Sequence, residues 1–401
     1  MTTIPDDLIE KTGGRIVLLV MDGLGGLPDE KTGLTELESA STPNLDRLAQ
    51  RAALGLHQPV GYGVTPGSGP GHLALFGYDP IKSNIGRGVL SALGVGFELQ
   101  PGDLAVRLNF ATVDGQGNVT DRRAGRPSDE DNKRLVKKLQ DNFKLPVDAQ
   151  VFFAPEKEHR AVLVLRGNDL SAELSDTDPQ VTGVPPLPVT ALSEKAARSA
   201  ALVQRVLNAA MEVLKDEPKA NALLARGFAN YEQYPTMEQR FGLRARAMAR
   251  YPMYLGVARL VGMETLPIQP SDDAMLGMLE KDFDKYDFHF VHFKATDSRG
   301  EDGDFAAKVK AIEAIDALIP RVEAMKPDVL IVTGDHSTPS RMRAHSWHPV
   351  PLLLASQWTR PAGADSFGER SCQRGELGIF PAVQIMTIAL AHAQRLAKFG
   401  A

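Results

Sequence analysis

Three short, nearly uninterrupted apolar runs constrain this chain most. They are Arg15-Ile-Val-Leu-Leu-Val-Met-Asp-Gly23, Phe288-His-Phe-Val-His-Phe293 leading into Lys294-Ala-Thr-Asp297, and Asp328-Val-Leu-Ile-Val-Thr-Gly-Asp-His336. A strand with one wet face alternates apolar and polar residues. A run without alternation is buried on both faces, as in a parallel sheet covered by helices. Suitable helices flank these runs. Thr42-Pro-Asn-Leu-Asp-Arg-Leu-Ala reads as an N-cap, a proline at the first helical position and an amphipathic helix, and Phe305 to Leu318 sets Val309, Ile312, Ile315 and Leu318 on one face. A further strand, Val350-Pro-Leu-Leu-Leu-Ala355, follows His345-Ser-Trp-His-Pro349, and Ala382 to Ala397 reads as a closing helix. The fold class is therefore α/β with a mostly parallel sheet.

Open α/β sheets gather ligands outside the carboxyl ends of their strands. Four strand ends here carry Asp or His: Asp22, Asp297, the pair Asp335 and His336, and the segment with His345 and His348. Glu301 lies four residues beyond Asp297. Converging carboxylates repel unless a cation neutralises them. The donors exceed what one tetrahedral ion uses, so two divalent ions are expected, at the roughly 3.5–4 Å spacing of two-metal sites. Each residue also has a plainer reading. Asp22 and Asp335-His336 fit strand-end turns, His348 fits packing beside Trp347 and Pro349, and Asp302 and Asp304 fit solvated caps of the next helix. Their conjunction at strand ends favours the metal site.

Gly61-Tyr-Gly-Val-Thr-Pro-Gly-Ser-Gly-Pro-Gly-His72 packs five glycines and two prolines into twelve residues, which excludes an ordinary helix or strand interior. A helix is expected to begin at His72, which offers Ser68 on a tight turn just before its N-terminus. Free N–H groups and the positive dipole end there suit an anion. A plain glycine-rich loop and a phosphate cradle with a nucleophilic serine both fit; a metal neighbour would decide between them, because a coordinated hydroxyl ionises more readily.

The texture changes over residues 104–220. Leu104 to Val113 alternates, Asp114-Gly-Gln-Gly-Asn118 is a turn, and Asp121-Arg-Arg-Ala-Gly-Arg126 places three arginines in five residues. A helix from the N-cap Ser128 to Gln140, strands at 151–154 and 160–166, and a helix over 199–214 follow. This reads as a smaller α+β domain at 104–220, inserted in a core made of 1–103 and 221–401. The net charge of −5 gives no case for nucleic acid, and no apolar stretch of 18 residues predicts a membrane span. One cysteine, Cys372, excludes an intramolecular disulfide framework; with the polar, acidic start MTTIPDDLIEK it points to the cytoplasm.

The chain resembles the 2,3-bisphosphoglycerate-independent (cofactor-independent) phosphoglycerate mutases of the archaeal-type branch, in the alkaline phosphatase superfamily. The resemblance rests on VMDGLGG at 20–26, TPNLDRLA at 42–49, TPGSGPGHLALFGYDP at 65–80, GRGVLSALGVG at 86–96 and NFATVD at 109–114. It continues with DRRAGR at 121–126, TDSRGEDGDF at 296–305, TGDHSTPS at 333–340 and HSWHPVP at 345–351, and so covers nearly the whole chain. It implies an alkaline-phosphatase-like three-layer core and the interconversion of 3-phosphoglycerate and 2-phosphoglycerate. It further implies that Asp22, Ser68, Asp335 and His336 hold the ion beside the nucleophile, and Asp297, residue 301 and His348 the other. A histidine is expected where Glu301 stands. The carboxylate is harder, so Mn²⁺ or Mg²⁺ is favoured, with Zn²⁺ and Co²⁺ as the other options. By the same resemblance, Ser68 carries a transient phosphoryl group and the inserted domain closes as a lid that keeps water out. Arg107, Arg122, Arg123, Arg126 and Arg160 would clamp carboxylate and phosphate, Asp121 would handle the glycerate hydroxyl proton, and His72 and Lys294 would line the phosphate site. The rival on the same core is a metal-dependent phosphatase or phosphopentomutase.

Overall fold

A computed structural model describes residues 8–83, 85–361 and 363–400. In chain order the strands are β1 (Ile16–Met21), β2 (Ala53–Gln58), β3 (Leu104–Val113), β4 (Val119–Asp121), β5 (Gln150–Lys157), β6 (Arg160–Arg166) and β7 (Ala222–Asn230). They continue as β8 (Ala245–Met248), β9 (Glu264–Thr265), β10 (Phe288–Phe293), β11 (Val329–Thr333), β12 (Val350–Ser356) and β13 (Gly378–Pro381). The chain divides into two units, Met1–Asn84 with Pro235–Ala401, and Ile85–Tyr234.

The first unit holds an eight-stranded sheet in the order β13-β2-β12-β11-β1-β10-β8-β9. Every residue of β1, β10 and β11 is buried, as their unbroken apolar runs require. β1 pairs in parallel with both β10 and β11, so Met21 lies opposite Phe293 and Val20 opposite Thr333. That register brings the carboxyl ends of three strands level. β12 runs antiparallel to β11, with Thr333 opposite Leu352, and β2 antiparallel to β12, with His57 opposite Val350. The amino end of β12 therefore shares an edge with the carboxyl ends of β1, β2, β10 and β11. His345 and His348 reach this edge because their strand is reversed.

One face of β1, through Val17, Leu19 and Met21, packs with Leu45 and Leu48 of the helix Pro43–Ala49 and with Ile312 and Ile315 of the helix Phe305–Asp316. Full burial of each such side chain contributes roughly 1.5–3 kcal/mol. Asp304 caps the second helix by accepting from Ala307 N, the plain role its sequence suggests. The closing helix is shorter than its pattern predicts, a 3-10 turn at Ala382–Gln384 followed by Ile385–His392.

The second unit is built on an antiparallel sheet in the order β4-β3-β6-β5, with β7 also paired to β3. The helix Asp129–Asn142, capped by Ser128, and the helix Ala197–Leu214 cover it with Leu135, Leu139, Val203 and Val206. The unit is wider than 104–220 for two reasons. β7 pairs along β3 from Leu104 opposite Asn230 to Ala111 opposite Ala222, and the helix Arg87–Gly94 lies so close to β3 that a Cβ on Gly88 would stand 2.2 Å from Ala105 O. β7 carries no clear alternation, and the helix is masked in the sequence by the glycines at 86, 88, 94 and 96. Among the described residues, no helix is long and apolar enough to cross a membrane.

Candidate active site

The helix that carries Ser68 begins at Ser68 itself, four residues before the expected start, and runs Ser68–Leu75 behind an extended N-cap, Gly67. Pro70 does not delay it, because the first turn has no use for that N–H. A Cβ on Gly71 would lie 2.5 Å from Asp335 O, so glycine lets this helix rest directly on the loop after β11. His72 is fully buried, with Nδ1 2.7 Å from Ser68 O and 3.2 Å from Asp335 Oδ2. It is packed among Tyr254, Phe290 and His292 and supports the serine turn from behind.

Two groups of ligand atoms form at the sheet edge: Asp22 with Asp335 and His336, and Asp297 with His336 and His345. Ser68 Oγ lies 3.2 Å from His336 Nε2, which is 3.4 Å from Asp22 Oδ1 and 3.1 Å from Asp335 Oδ2. Asp335 Oδ1 accepts the Gly23 amide at 3.1 Å. Thr338 fixes the tautomer of His336. Its hydroxyl donates to Asp297 Oδ1 at 2.7 Å and so must accept from His336 Nδ1 at 3.0 Å. The Nε2 lone pair therefore faces Ser68 and the two carboxylates. Asp22 Oδ1 and Asp335 Oδ2 are buried without a well-aligned donor, the nearest donor to Asp335 Oδ2 being His72 Nδ1 at 3.2 Å. Oxygens left so are costly unless a cation serves them, and this set of hard oxygens and one imidazole fits a divalent ion.

In the second group His345 Nε2 stands 3.5 Å from Asp297 Oδ1 and 3.7 Å from Glu301 Oε1. Its Nδ1 faces Pro66 O at 3.0 Å and so carries the proton, which leaves Nε2 as a donor of electrons. Its ring stacks on His336 at 3.7 Å. Since Thr338 uses His336 Nδ1, the donors free for an ion here are Asp297, Glu301 and His345. His348 joins neither group: its Nδ1 meets Ser346 Oγ at 3.0 Å and its ring stacks on Trp347. The pairing of Ser346 with Ser337 sets which of the two histidines turns inward, and spacing alone holds no signal for that.

Lys294 bonds Asp297 Oδ2 and lies 3.3 Å from Asp22 Oδ2, bridging the two groups. His292 Nε2 reaches Asp22 Oδ2 at 3.1 Å and its ring stacks on Tyr254 at 3.7 Å. Burial pushes Asp22 up, but Lys294 and the His292 hydrogen bond outweigh it and hold the carboxyl well below its usual range. Burial lowers Lys294, yet Asp22 and Asp297 raise it overall. Burial keeps His336 below the ordinary histidine value, and burial with Asp297 raises Glu301. His292, Tyr254 and Thr338 are side chains that sequence reading did not single out.

The arginines lie in the second unit. Arg122 is committed to Asp178 in a bidentate pair, Nε to Oδ1 and NH2 to Oδ2, both at 2.8 Å. Asp121 closes a turn, accepting Arg123 N at 2.8 Å and Gly125 N at 2.7 Å. Ala124, Gly125 and Arg126 follow with φ of 49°, 71° and 53°, an arrangement natural only to the glycine. The turn presents Arg123 and Arg126 on the surface. Burial and the nearby cations of Arg160, Arg87 and Arg226 lower Arg107 against the opposing pull of Glu156, which places these four arginines around one carboxylate, with Arg226 also paired to Asp178 at 3.3 Å. Arg87 and Arg226 join the others unannounced by the sequence motif.

The model of the 2,3-bisphosphoglycerate-independent phosphoglycerate mutase family matches residues 49–220. A Thermus thermophilus protein described as a probable 2,3-bisphosphoglycerate-independent phosphoglycerate mutase is 51% identical over 398 residues, covering 98% of both chains. An Aquifex aeolicus protein of the same description is 50% identical over 403 residues, covering 98% of this chain and 99% of its own. Among solved structures, a protein of Pyrococcus horikoshii superposes with a TM-score of 0.83 at 30% identity, over 97% of this chain and all of the other. The cofactor-independent phosphoglycerate mutase of Thermoplasma acidophilum gives 0.72 at 29% identity, over 95% and 100%.

Proposed function

The chain belongs to the 2,3-bisphosphoglycerate-independent phosphoglycerate mutases, and from that premise we propose how its residues divide the reaction. The enzyme is a phosphoglycerate mutase, an isomerase acting on small phosphoglycerates. Ser68 is the nucleophile. Its Oγ bonds to the phosphorus of 3-phosphoglycerate as the bond from phosphorus to the C3 oxygen breaks, which leaves phosphoserine and glycerate. The glycerate 2-hydroxyl then bonds to the same phosphorus as the P–Oγ bond breaks, restoring Ser68 and giving 2-phosphoglycerate.

Divalent ions, held by Asp22, Asp335, His336 and Ser68 and by Asp297, Glu301 and His345, would ease ionisation of the serine hydroxyl and neutralise phosphoryl charge. Mn²⁺ or Mg²⁺ suits these oxygen-rich sets, with Zn²⁺ or Co²⁺ as alternatives. Lys294 adds a fixed positive charge for the phosphoryl oxygens. Arg107, Arg123, Arg126 and Arg160 bind the carboxylate and phosphate, while Arg122 holds the scaffold through Asp178. Asp121 exchanges the protons of the C3 and C2 hydroxyls. The unit that carries these arginines serves as the lid, since glycerate must stay while water is kept from the phosphoserine. The lone buried Cys372 fits a reducing, cytoplasmic setting.

One observation carries this reading. Ser68 Oγ lies 3.2 Å from an imidazole nitrogen flanked by two fully buried carboxylates, Asp22 and Asp335. The test is turnover of 3-phosphoglycerate coupled to enolase, with phosphoserine sought by mass spectrometry after acid quench. Wild type should convert substrate and show the modification at 68; Ser68→Ala should do neither while still binding Mn²⁺. Turnover by Ser68→Ala sinks the nucleophile assignment, and inorganic phosphate as the main wild-type product favours the phosphatase rival.

A further inference from the structure

Lys308 is fully buried on the helix Phe305–Asp316, and its ammonium donates to three backbone carbonyls: Gly23 O at 2.9 Å, Gly25 O at 3.1 Å and Thr338 O at 2.8 Å. All three of its protons are thus spent on neutral acceptors, and among the described residues it makes no ion pair. A buried ammonium without a contacting counter-ion is expensive, and an apolar side chain of similar length would pack in its place at less cost. Core stability does not account for it. The three carbonyls do.

They belong to the two loops that present the ligand groups. Gly23 follows Asp22, and its amide donates to Asp335 Oδ1 at 3.1 Å. The Thr338 amide reaches Gly23 O at 3.2 Å and Gly25 O at 3.0 Å, locking the loop after β1 to the loop after β11. The Thr338 hydroxyl touches Asp297 and His336. The same ammonium therefore holds the residue that follows Asp22 and the residue whose hydroxyl bonds Asp297 and His336. The loops have no slack, since a Cβ on Gly25 would lie 1.9 Å from Ser337 Oγ. Glu36 and Glu369 act on Lys308 from a distance, and Asp297 and Asp22 do so from the site itself.

We propose that Lys308 is a positioning residue for the metal-binding edge, an internal cation that clamps the β1 and β11 loops and so sets the spacing of Asp22, Asp297, Asp335 and His336. This rests on reading those residues as metal ligands. Its effect is on ion affinity and on kcat, with little on substrate affinity, because Lys308 touches no ligand group directly.

The experiment uses the full chain stripped of metal and titrated with Mn²⁺ by calorimetry, alongside thermal melts of the stripped protein and the enolase-coupled assay. Lys308→Met keeps length and removes charge. It should bind Mn²⁺ at least 10-fold more weakly and lose at least 10-fold in kcat, with KM for 3-phosphoglycerate within 2-fold. Lys308→Gln, which keeps a donor for the carbonyls but no charge, should move the same way and replaces the Met variant if that one does not fold. A lower melting temperature with wild-type Mn²⁺ affinity overturns the proposal and leaves Lys308 a structural residue. Absence of Mn²⁺ binding by the wild type overturns the metal reading beneath it, which is a separate result.

Discussion

Gly71→Ala separates stability from catalysis at the serine helix. Glycine inside a helix is disfavoured by about 0.5–1 kcal/mol relative to alanine, so propensity alone predicts a more stable variant. The new methyl, however, would sit 2.5 Å from Asp335 O, where ordinary contact starts near 3.4 Å. The difference is 0.9 Å, and even the tightest tolerable approach, 3.0 Å, demands 0.5 Å. Asp335 is anchored through its carboxylate by the Gly23 amide, in a loop that Thr338 ties to Gly23 and Gly25, so the helix gives way. That displacement opens the 3.2 Å separation between Ser68 Oγ and His336 Nε2. Misplacing a reacting group by about 1 Å costs on the order of 10²-fold.

The expected outcome is a 30- to 100-fold fall in kcat, as an order of magnitude from the same relation, with a melting temperature that falls by far less than a core lesion would produce. The assay is the enolase-coupled rate, read with a thermal melt on the same preparation. Gly67→Ala is the control. It lies in the same turn with φ of −86°, and its added Cβ would be 3.8 Å from Pro70 Cδ, an ordinary contact. It should keep activity within about 3-fold, since exchanging glycine for alanine at an N-cap is a small change. Wild-type kcat in Gly71→Ala would refute the claim that close approach of this helix to Asp335 sets the nucleophile.

Three more outcomes follow from the same geometry. Thr338→Val removes a fully buried hydroxyl that bonds Asp297 at 2.7 Å and His336 at 3.0 Å; loss of such an orienting partner should weaken Mn²⁺ binding by roughly 10- to 100-fold, and unchanged calorimetric affinity would count against the tautomer assignment. Arg122→Met leaves buried Asp178 with Arg226 at 3.3 Å as its remaining cation; a loss of roughly 1–3 kcal/mol in urea melts is expected, with a smaller rise in KM than Arg123→Met gives, and the reverse ranking would return Arg122 to the substrate. His289 is held near pKa 4 by burial, below the ordinary histidine value of 6.5. Its folded-state pKa is depressed, so the unfolded chain binds the proton first and stability falls as pH drops from about 6.5 to about 4, by about 3 kcal/mol at most, and not above pH 7. Urea melts of His289→Gln should show a flatter decline than wild type between pH 7 and pH 5, and equal slopes would contradict this.

The strands that carry the site were legible because their chemistry is one-dimensional. Ile16–Met21 and Val329–Thr333 are apolar at every position, and only burial on both faces accommodates that. β8 and β9 lack such a signal. Ala245–Met248 contains Arg246, buried in the structure against Asp282, a partner 36 residues away. β7 was missed for a related reason: Ala-Leu-Leu-Ala-Arg-Gly-Phe-Ala-Asn is as compatible with a helix until β3 supplies its hydrogen bonds. The limits of the second unit depend on that pairing, so they lay outside what local pattern reveals.

The site itself was legible as a set of strand ends, while its wiring was not. His345 and His348 are equivalent by sequence, three residues apart and both before Pro349. The fold breaks that equivalence by pairing Ser346 with Ser337 and by giving His345 Nδ1 the Pro66 carbonyl, so that one imidazole turns to Asp297 and the other to Trp347. Glu301 gains its meaning from this choice. With His345 in place, each group brings together two carboxylates and one imidazole, Asp22, Asp335 and His336 on one side and Asp297, Glu301 and His345 on the other. Lys294 lies within reach of both Asp22 and Asp297. The acidic residue at 301 makes the two residue sets alike in hardness and charge, so the ions proposed for them would be of one oxygen-preferring kind.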